Sequence, residues 1–354
     1  MTVSPFDHPY LSGLLGDEQV ARQFSVEAEV AAMLAFERAL AEAEAERGVI
    51  GSDAAEAIVS ALASFAPEVP ALKEAVARDG VVVPELVRQL RAAVGAPHGD
   101  KLHFGATSQD VIDTALVLRL KAVVERLDAQ LAEVLARLSV LDERFGARPL
   151  LGRTRMQAAI EITVADRIRA WREPLGRHRA RLAVIKPELL VVQFGGAAGT
   201  LEKLGDKGAA VRKSLAERLG LGDAPQWHSQ RDRLADFASL LSLITGSLGK
   251  FGQDAALMAQ DGSEISLSGG GGSSAMPHKQ NPVAAEALVT LARFNATQLS
   301  GMHQALVHEQ ERSGAAWTLE WLVLPQMAVA TAASLRLANT LAGQIESIGA
   351  KAGN

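Results

Sequence analysis

Between Val111 and Leu141 an apolar residue recurs mostly every three or four positions: Val111, Ala115, Leu116, Leu120, Val123, Leu127, Leu131, Val134, Leu138 and Leu141. That is the helical period, and it ends only at the stretch FGARP, residues 145–149. Thr107 and Asp110 stand three apart just before it, a capping-box-like start with Asp where Glu or Gln is usual. A helix over 107–145, more than thirty residues long, is unusual in a small compact domain and ordinary in a long bundle.

The rest of the chain reads the same way. Helical patterns cover residues 26–48, 53–66 and 83–95, the last with Pro84 in its first turn, where a missing N–H costs nothing. Four more cover 158–185, 231–260, 282–311 and 325–349. Several are apolar around much of their circumference, as helices buried on more than one side are. The expectation is an all-α fold: a smaller helical N-terminal domain over 1–106 and a long central helical bundle over 107–354, sheathed in part by other subunits.

Composition narrows the chemistry. A formal net charge of -5 gives no reason to expect nucleic acid or an anionic membrane as partner. Without cysteine there can be no disulfide, thiol nucleophile or thiolate metal site. The histidines (His8, His98, His103, His178, His228, His278, His303 and His308) include no i,i+4 pair and no HExxH pattern, so no metal site is expected. No apolar run approaches the roughly eighteen residues of a membrane span, and the N-terminus lacks the basic and apolar regions of a secretory leader. A soluble, cytoplasmic chain is expected.

One stretch departs sharply from its helical surroundings. GGGGSSAMPHKQNP, residues 269–282, lacks the GxxxxGK[ST] of a phosphate loop, and no strand is expected before it. A bare linker would be repetitive; SSAMPHKQNP is not. Lys279 and Asn281 stand just before Pro282, which opens a helix with its positive dipole end. Free backbone N–H groups, a hydroxyl and an ammonium there suit a carboxylate that gains charge.

The segment GSSAMPHKQNP, with Glu286 four residues beyond its proline, resembles the signature loop of the fumarase/aspartase superfamily. HFGATSQDVIDT (103–114) is similar to its first shared segment, FGGAAGT (194–200) to a glycine-rich one, and SQRDRLADF (229–237) to the arginine-bearing stretch of its adenylosuccinate-lyase-like branch. The matches follow the family order. Two departures bear on the reaction: Arg155, in TRMQ, stands where lyases of the family carry an acid/base histidine, and Asp79-Gly80 where adenylosuccinate lyases carry another. Both speak against adenylosuccinate and argininosuccinate lyase chemistry. DGVVVPELVRQL, WHSQRD and HEQERSGAAW resemble instead a lactonising branch of the superfamily, in a form without the small C-terminal third domain.

That resemblance implies an intramolecular addition through an aci-carboxylate on a small tricarboxylate substrate, with no cofactor. Ser273 would move the proton at the α-carbon, and Lys279 and Asn281 would hold the aci-carboxylate. Thr107, Ser108 and Gln109 would bind a second carboxylate at a helix start. Arg231 and Arg155 would pair with the remaining carboxylates. His103, Gln157, Ser274 and Met276 would contact substrate, and Glu286 would support the loop. The resemblance also implies a homotetramer with active sites shared between subunits. Another lyase acting on a succinyl adduct, and a non-catalytic structural relative, stand as alternatives.

Overall fold

The computed structural model describes residues 3–260, 262–272, 275–276 and 280–350. Two short helices, α1 (Ser12–Leu15) and α2 (Glu18–Arg22), precede α3 (Val26–Glu46), α4 (Ser52–Ala63), α5 (Val69–Asp79) and α6 (Val83–Val94). The long helix α7 (Ser108–Phe145) leads to a hairpin, β1 (Pro149–Thr154) and β2 (Gln157–Thr163). Then come α8 (Val164–Leu189), α9 (Gly208–Leu219), α10 (Asp232–Gln260), β3 (Ile265–Leu267), α11 (Val283–Gln304), α12 (Gly314–Gln344) and β4 (Ile345–Ile348). The fold is that of a helical bundle, with two small two-stranded sheets at its margin.

On α7 the predicted seam is the buried one: Leu120, Val123, Leu127, Leu131, Val134 and Leu138 are all 0% exposed. They share one core with α8, α10, α11 and α12. Each such leucine contributes about 1.5–3 kcal/mol by leaving water. Although α12 is long and apolar enough to cross a membrane by length and composition, it runs through the interior of this core. Its residues from Met327 to Leu335 are buried without a break, and many are small (Ala328, Ala330, Ala332, Ala333), which lets neighbouring helices approach closely. A buried amide, Asn295 on α11, donates to Thr331 Oγ1 at 3.0 Å and locks that approach.

A second core joins α3, α4 and α6 to Val111, Ile112 and Ala115 of α7, to Val192 and Phe194, to Leu215 of α9 and to Trp317 of α12. The packing of the N-terminal helices thus draws on chain from both sides of residue 106.

Several expectations need correction. The strand β3 does precede the glycine run, and residues 345–348, expected in the last helix, pair with it as β4. Residues 158–163 are strand, not helix: Ile160 and Ile162 alternate on β2, and α8 starts only after Thr163, whose side chain and that of Asp166 form a capping box. The two-residue turn Arg155-Met156 has positive φ at both positions (47° and 67°), as tight hairpins require. Helix α12 begins at Gly314 with Ser313 as its cap and carries Pro325 in its interior; burial of the surrounding helix outweighs the one backbone hydrogen bond that proline removes. Helix α11 stops at Gln304, and the chain passes through Gln310 at φ 48° before that cap.

The 38 residues of α7 extend roughly 57 Å at 1.5 Å per residue. At its N-terminal head lie the starts of α10 and α12, since Arg231 and Trp317 both bond to Asp113. At its tail lie the hairpin and residues 264–272: Gly349 N–H donates to the Glu264 carbonyl, Ala350 N–H to the Pro149 carbonyl, and Ser268 N–H to the Gln344 carbonyl.

Candidate active site

The head cluster is organised by one carboxylate. Asp110, fully buried, accepts the Thr107 backbone N–H at 3.0 Å and completes the capping box of α7. It also accepts from the backbone N–H groups of Gly195 and Gly196, both at 2.9 Å, and pairs with His228 Nε2 at 2.8 Å. The residue that starts the helix therefore also ties down the FGGAAGT and WHSQRD loops. The glycines are needed for closeness: a Cβ on Gly195 would lie 2.7 Å from Gln226 Cβ, and Gly196 has φ 72°. Thr107 and Ser108 remain half-buried at the helix mouth, where free N–H groups and the dipole favour an anion.

Gln109 and Arg231 lie elsewhere than expected. Gln109 is fully buried, its amide donating to Asp113 Oδ2 and to the His228 carbonyl and accepting from Arg312 Nε at 3.0 Å. Arg231 sits with 1% of its side chain exposed between Asp113 (2.6 Å) and Glu320 (2.6 Å), its guanidinium over the Trp227 ring. Burial opposes its charge, but the two carboxylates outweigh that and hold it protonated. The cation expected to meet a substrate carboxylate meets two of the protein's own; a substrate anion could not reach it without breaking both. In turn Arg312, which reads in the sequence as an ordinary solvated charge, touches Gln109 and the Ala197 carbonyl at the rim of the cluster.

His103 lies four residues before the cap, in the left-handed region at φ 64°, with Nδ1 2.6 Å from Glu37 Oε1. Burial disfavours its imidazolium, yet the charge and hydrogen bond of Glu37 outweigh burial and raise its pKa.

The tail holds the rest. Asn281 and Gly271 exchange backbone hydrogen bonds at 2.9 and 3.0 Å, closing the glycine-rich segment at its base two residues before α11. A Cβ on Gly271 would fall 2.5 Å from Val283 Cγ2, so this glycine serves a close approach. Asn281 and Glu286 line a cleft of about 520 Å³ with Gln260, Gly269 and Gln280. Met276 is 42% exposed. Ser273, Ser274 and Lys279 lie outside the described residues. Arg155 and Gln157 are exposed at the tip of the hairpin. Within one chain, then, Thr107, Ser108 and His103 gather at the head, while Asn281, Met276 and Glu286 gather at the tail with the hairpin. Among the described residues no group of three or more His, Asp or Glu is arranged to hold a metal ion.

The sequence matches the lyase family over residues 15–313. The chain belongs to this family. This lyase is 41% identical to the 3-carboxy-cis,cis-muconate cycloisomerase of Pseudomonas aeruginosa over 323 residues, which cover 89% of the chain and 70% of that relative. It is 35% identical to an N-acetyl-S-(2-succino)cysteine lyase of Enterococcus italicus, over 90% of the chain and 71% of that protein. Among solved structures, the 3-carboxy-cis,cis-muconate lactonizing enzyme of Pseudomonas putida superposes with a TM-score of 0.88 at 38% identity, covering 95% of the lyase chain and 77% of the other.

Proposed function

We propose that this lyase is an intramolecular one, a cycloisomerase that closes 3-carboxy-cis,cis-muconate to 4-carboxymuconolactone. The observation that carries the reading is its likeness in sequence and fold, over nearly the whole chain, to enzymes of that name. One carboxylate of the substrate adds to the conjugated double bond and forms the ring C–O bond. The displaced π electrons pass into a second carboxylate as an aci-carboxylate, and a proton then joins the α-carbon. The nucleophile belongs to the substrate, so one protein proton donor suffices, which agrees with Arg155 in place of a second acid/base histidine.

In this reading Ser273 delivers the proton, and Lys279 and Asn281 hold the aci-carboxylate beside the dipole of α11. Thr107, Ser108 and His103 take another carboxylate at the head of α7, with Arg312 as a neighbouring cation. Arg155, Gln157, Ser274 and Met276 contact the remainder, and Glu286 supports the loop. A cytoplasmic homotetramer with shared sites supplies the geometry: head and tail residues stand a helix length apart in one chain, so an antiparallel neighbour would bring one chain's head to another's tail.

The test is a direct assay with 3-carboxy-cis,cis-muconate, adenylosuccinate and N-acetyl-S-(2-succino)cysteine. Turnover of the muconate alone, lost in Ser273→Ala, is the expected result. Turnover only of a succinyl adduct would overturn the reading.

A further inference from the structure

His103 lies at φ 64°, in the left-handed region that few residues with a Cβ adopt. Its side chain meets α3, sixty-six residues earlier in the chain: Glu37, itself 2% exposed, stands 2.6 Å from Nδ1. The other carboxylate oxygen of Glu37 is buried without a hydrogen-bond partner, so the carboxylate's one strong contact is the imidazole. The ring is not sealed: 13% of the histidine side chain is exposed, and Nε2 has no hydrogen-bond partner among the described residues. The same short segment runs on through Gly105, whose carbonyl oxygen lies 2.9 Å from where a Cβ on Gly196 would be, and into the Thr107 cap.

We propose that Glu37 is the positioning residue of the anion site at the head of α7: by accepting the Nδ1 proton of His103 it orients the ring and keeps it as the imidazolium, whose Nε2–H is presented to a substrate carboxylate beside Thr107 and Ser108. The proposal rests on the reading of that head as a carboxylate site. A carboxylate behind an imidazole is how a ring is oriented and its charged form kept, here for binding an anion. The charged groups around His103 are consistent in sign. Glu37 on α3 and Asp110 on α7 favour the imidazolium, and Arg91 on α6 opposes it. Glu44, two turns along α3 from Glu37, is pushed up to about 9 by burial and by Glu37 itself, so it stays neutral at pH 7 and adds no charge beside the dyad.

The experiment compares the intact enzyme with Glu37→Gln and Glu37→Asp. In Glu37→Gln, KM for the muconate should rise roughly tenfold with a smaller change in kcat, as loss of a charge-assisted contact to bound substrate predicts. The alkaline limb of kcat/KM should move to lower pH, since His103 then loses its proton earlier, and Glu37→Asp should restore part of both. Imidazole ¹⁵N titration reads the dyad without any reaction: wild type should keep a proton on Nδ1 and titrate above Glu37→Gln, and tricarballylate should shift the Nε2 signal. A folded Glu37→Gln with an unmoved His103 titration and pH limb would overturn the proposal. If Glu37→Gln does not fold, the wild-type titration against Glu37→Asp decides it by the same criterion. A wild-type enzyme that fails to lactonise the muconate would overturn the proposed reaction, and the ¹⁵N titration with tricarballylate would still decide the dyad.

Discussion

Arg231 Nη1 lies 2.6 Å from Asp113 Oδ2, and neither side chain reaches solvent. With Glu320 on the other side of the guanidinium, this pairing pins the start of α10 between α7 and α12. The arginine is thereby a structural bolt behind the site, and its geometry has consequences for stability.

Arg231→Leu leaves Asp113 and Glu320 buried without their cation. We expect a loss of about 3–5 kcal/mol in denaturant unfolding, the usual cost of stranding a buried partner. Arg231→Lys should recover little, because one ammonium cannot bond both carboxylates in bidentate fashion. An Arg231→Lys enzyme of wild-type stability would show that the planar fork is not what matters.

Glu44 is fully buried with neither oxygen hydrogen-bonded. Its pKa is pushed up from 4.5 to about 9, first by burial and then by Glu37. Because the folded state holds this proton more tightly, stability is fully present below the unfolded value and falls as pH rises from about 4.5 to about 9. The loss reaches about 3 kcal/mol at pH 7. Glu44→Gln removes the titration, so it should match wild type near pH 4.5 and exceed it increasingly toward pH 9. Parallel stability–pH curves for the two proteins would contradict this.

Asp110 collects the Thr107, Gly195 and Gly196 N–H groups and the His228 ring. In Asp110→Asn one acceptor oxygen becomes a donor facing other donors. A cost of about 3 kcal/mol is expected, in line with a buried charged hydrogen bond lost and a donor stranded. Hydrogen exchange at the Gly195 and Gly196 amides should accelerate before global unfolding, and kcat/KM should fall at least as much as stability. Unchanged exchange at both amides would refute the anchoring role.

The glycine run can be separated residue by residue. Gly271→Ala would put a Cβ 2.5 Å from Val283 Cγ2, whereas among the described residues nothing lies within 4 Å of a Cβ on Gly272. We expect the first to shift the segment against α11 and cut kcat roughly tenfold or more, the scale of an ångström-sized misplacement in a site. Gly272→Ala should stay close to wild type in both kcat and melting temperature. Equal effects of the two substitutions would mean that the run serves as a plain connector.

Much of this was legible in the linear chain because it depends on local spacing. The apolar period of α7 fixes which face is buried, and Thr107-x-x-Asp110 fixes where the helix starts, since both act within a turn or two of backbone. The same local rule misread residues 158–163: Ala and Ile suit either period over so short a run, and the capping pair Thr163–Asp166 was the overlooked signal of where α8 begins. The apolar pattern read from Pro325 onward gives no sign of the helix before it, yet a buried helix tolerates that proline in its interior.

What the chain order could not reveal is who partners whom across it. The sequence points to Arg231 as a substrate cation and to Arg312 as an ordinary charge; only the fold sets the first between Asp113 and Glu320 and the second at the rim. Nothing along the chain connects Glu37 with His103, or Asp110 with Gly195. The sequence by itself determined the helices, their buried faces and the family, because periodicity and motif order are properties of neighbours. The tertiary structure alone decided which charges are consumed inside and which remain at the surface, because that depends on desolvation and on distances between residues far apart in the chain.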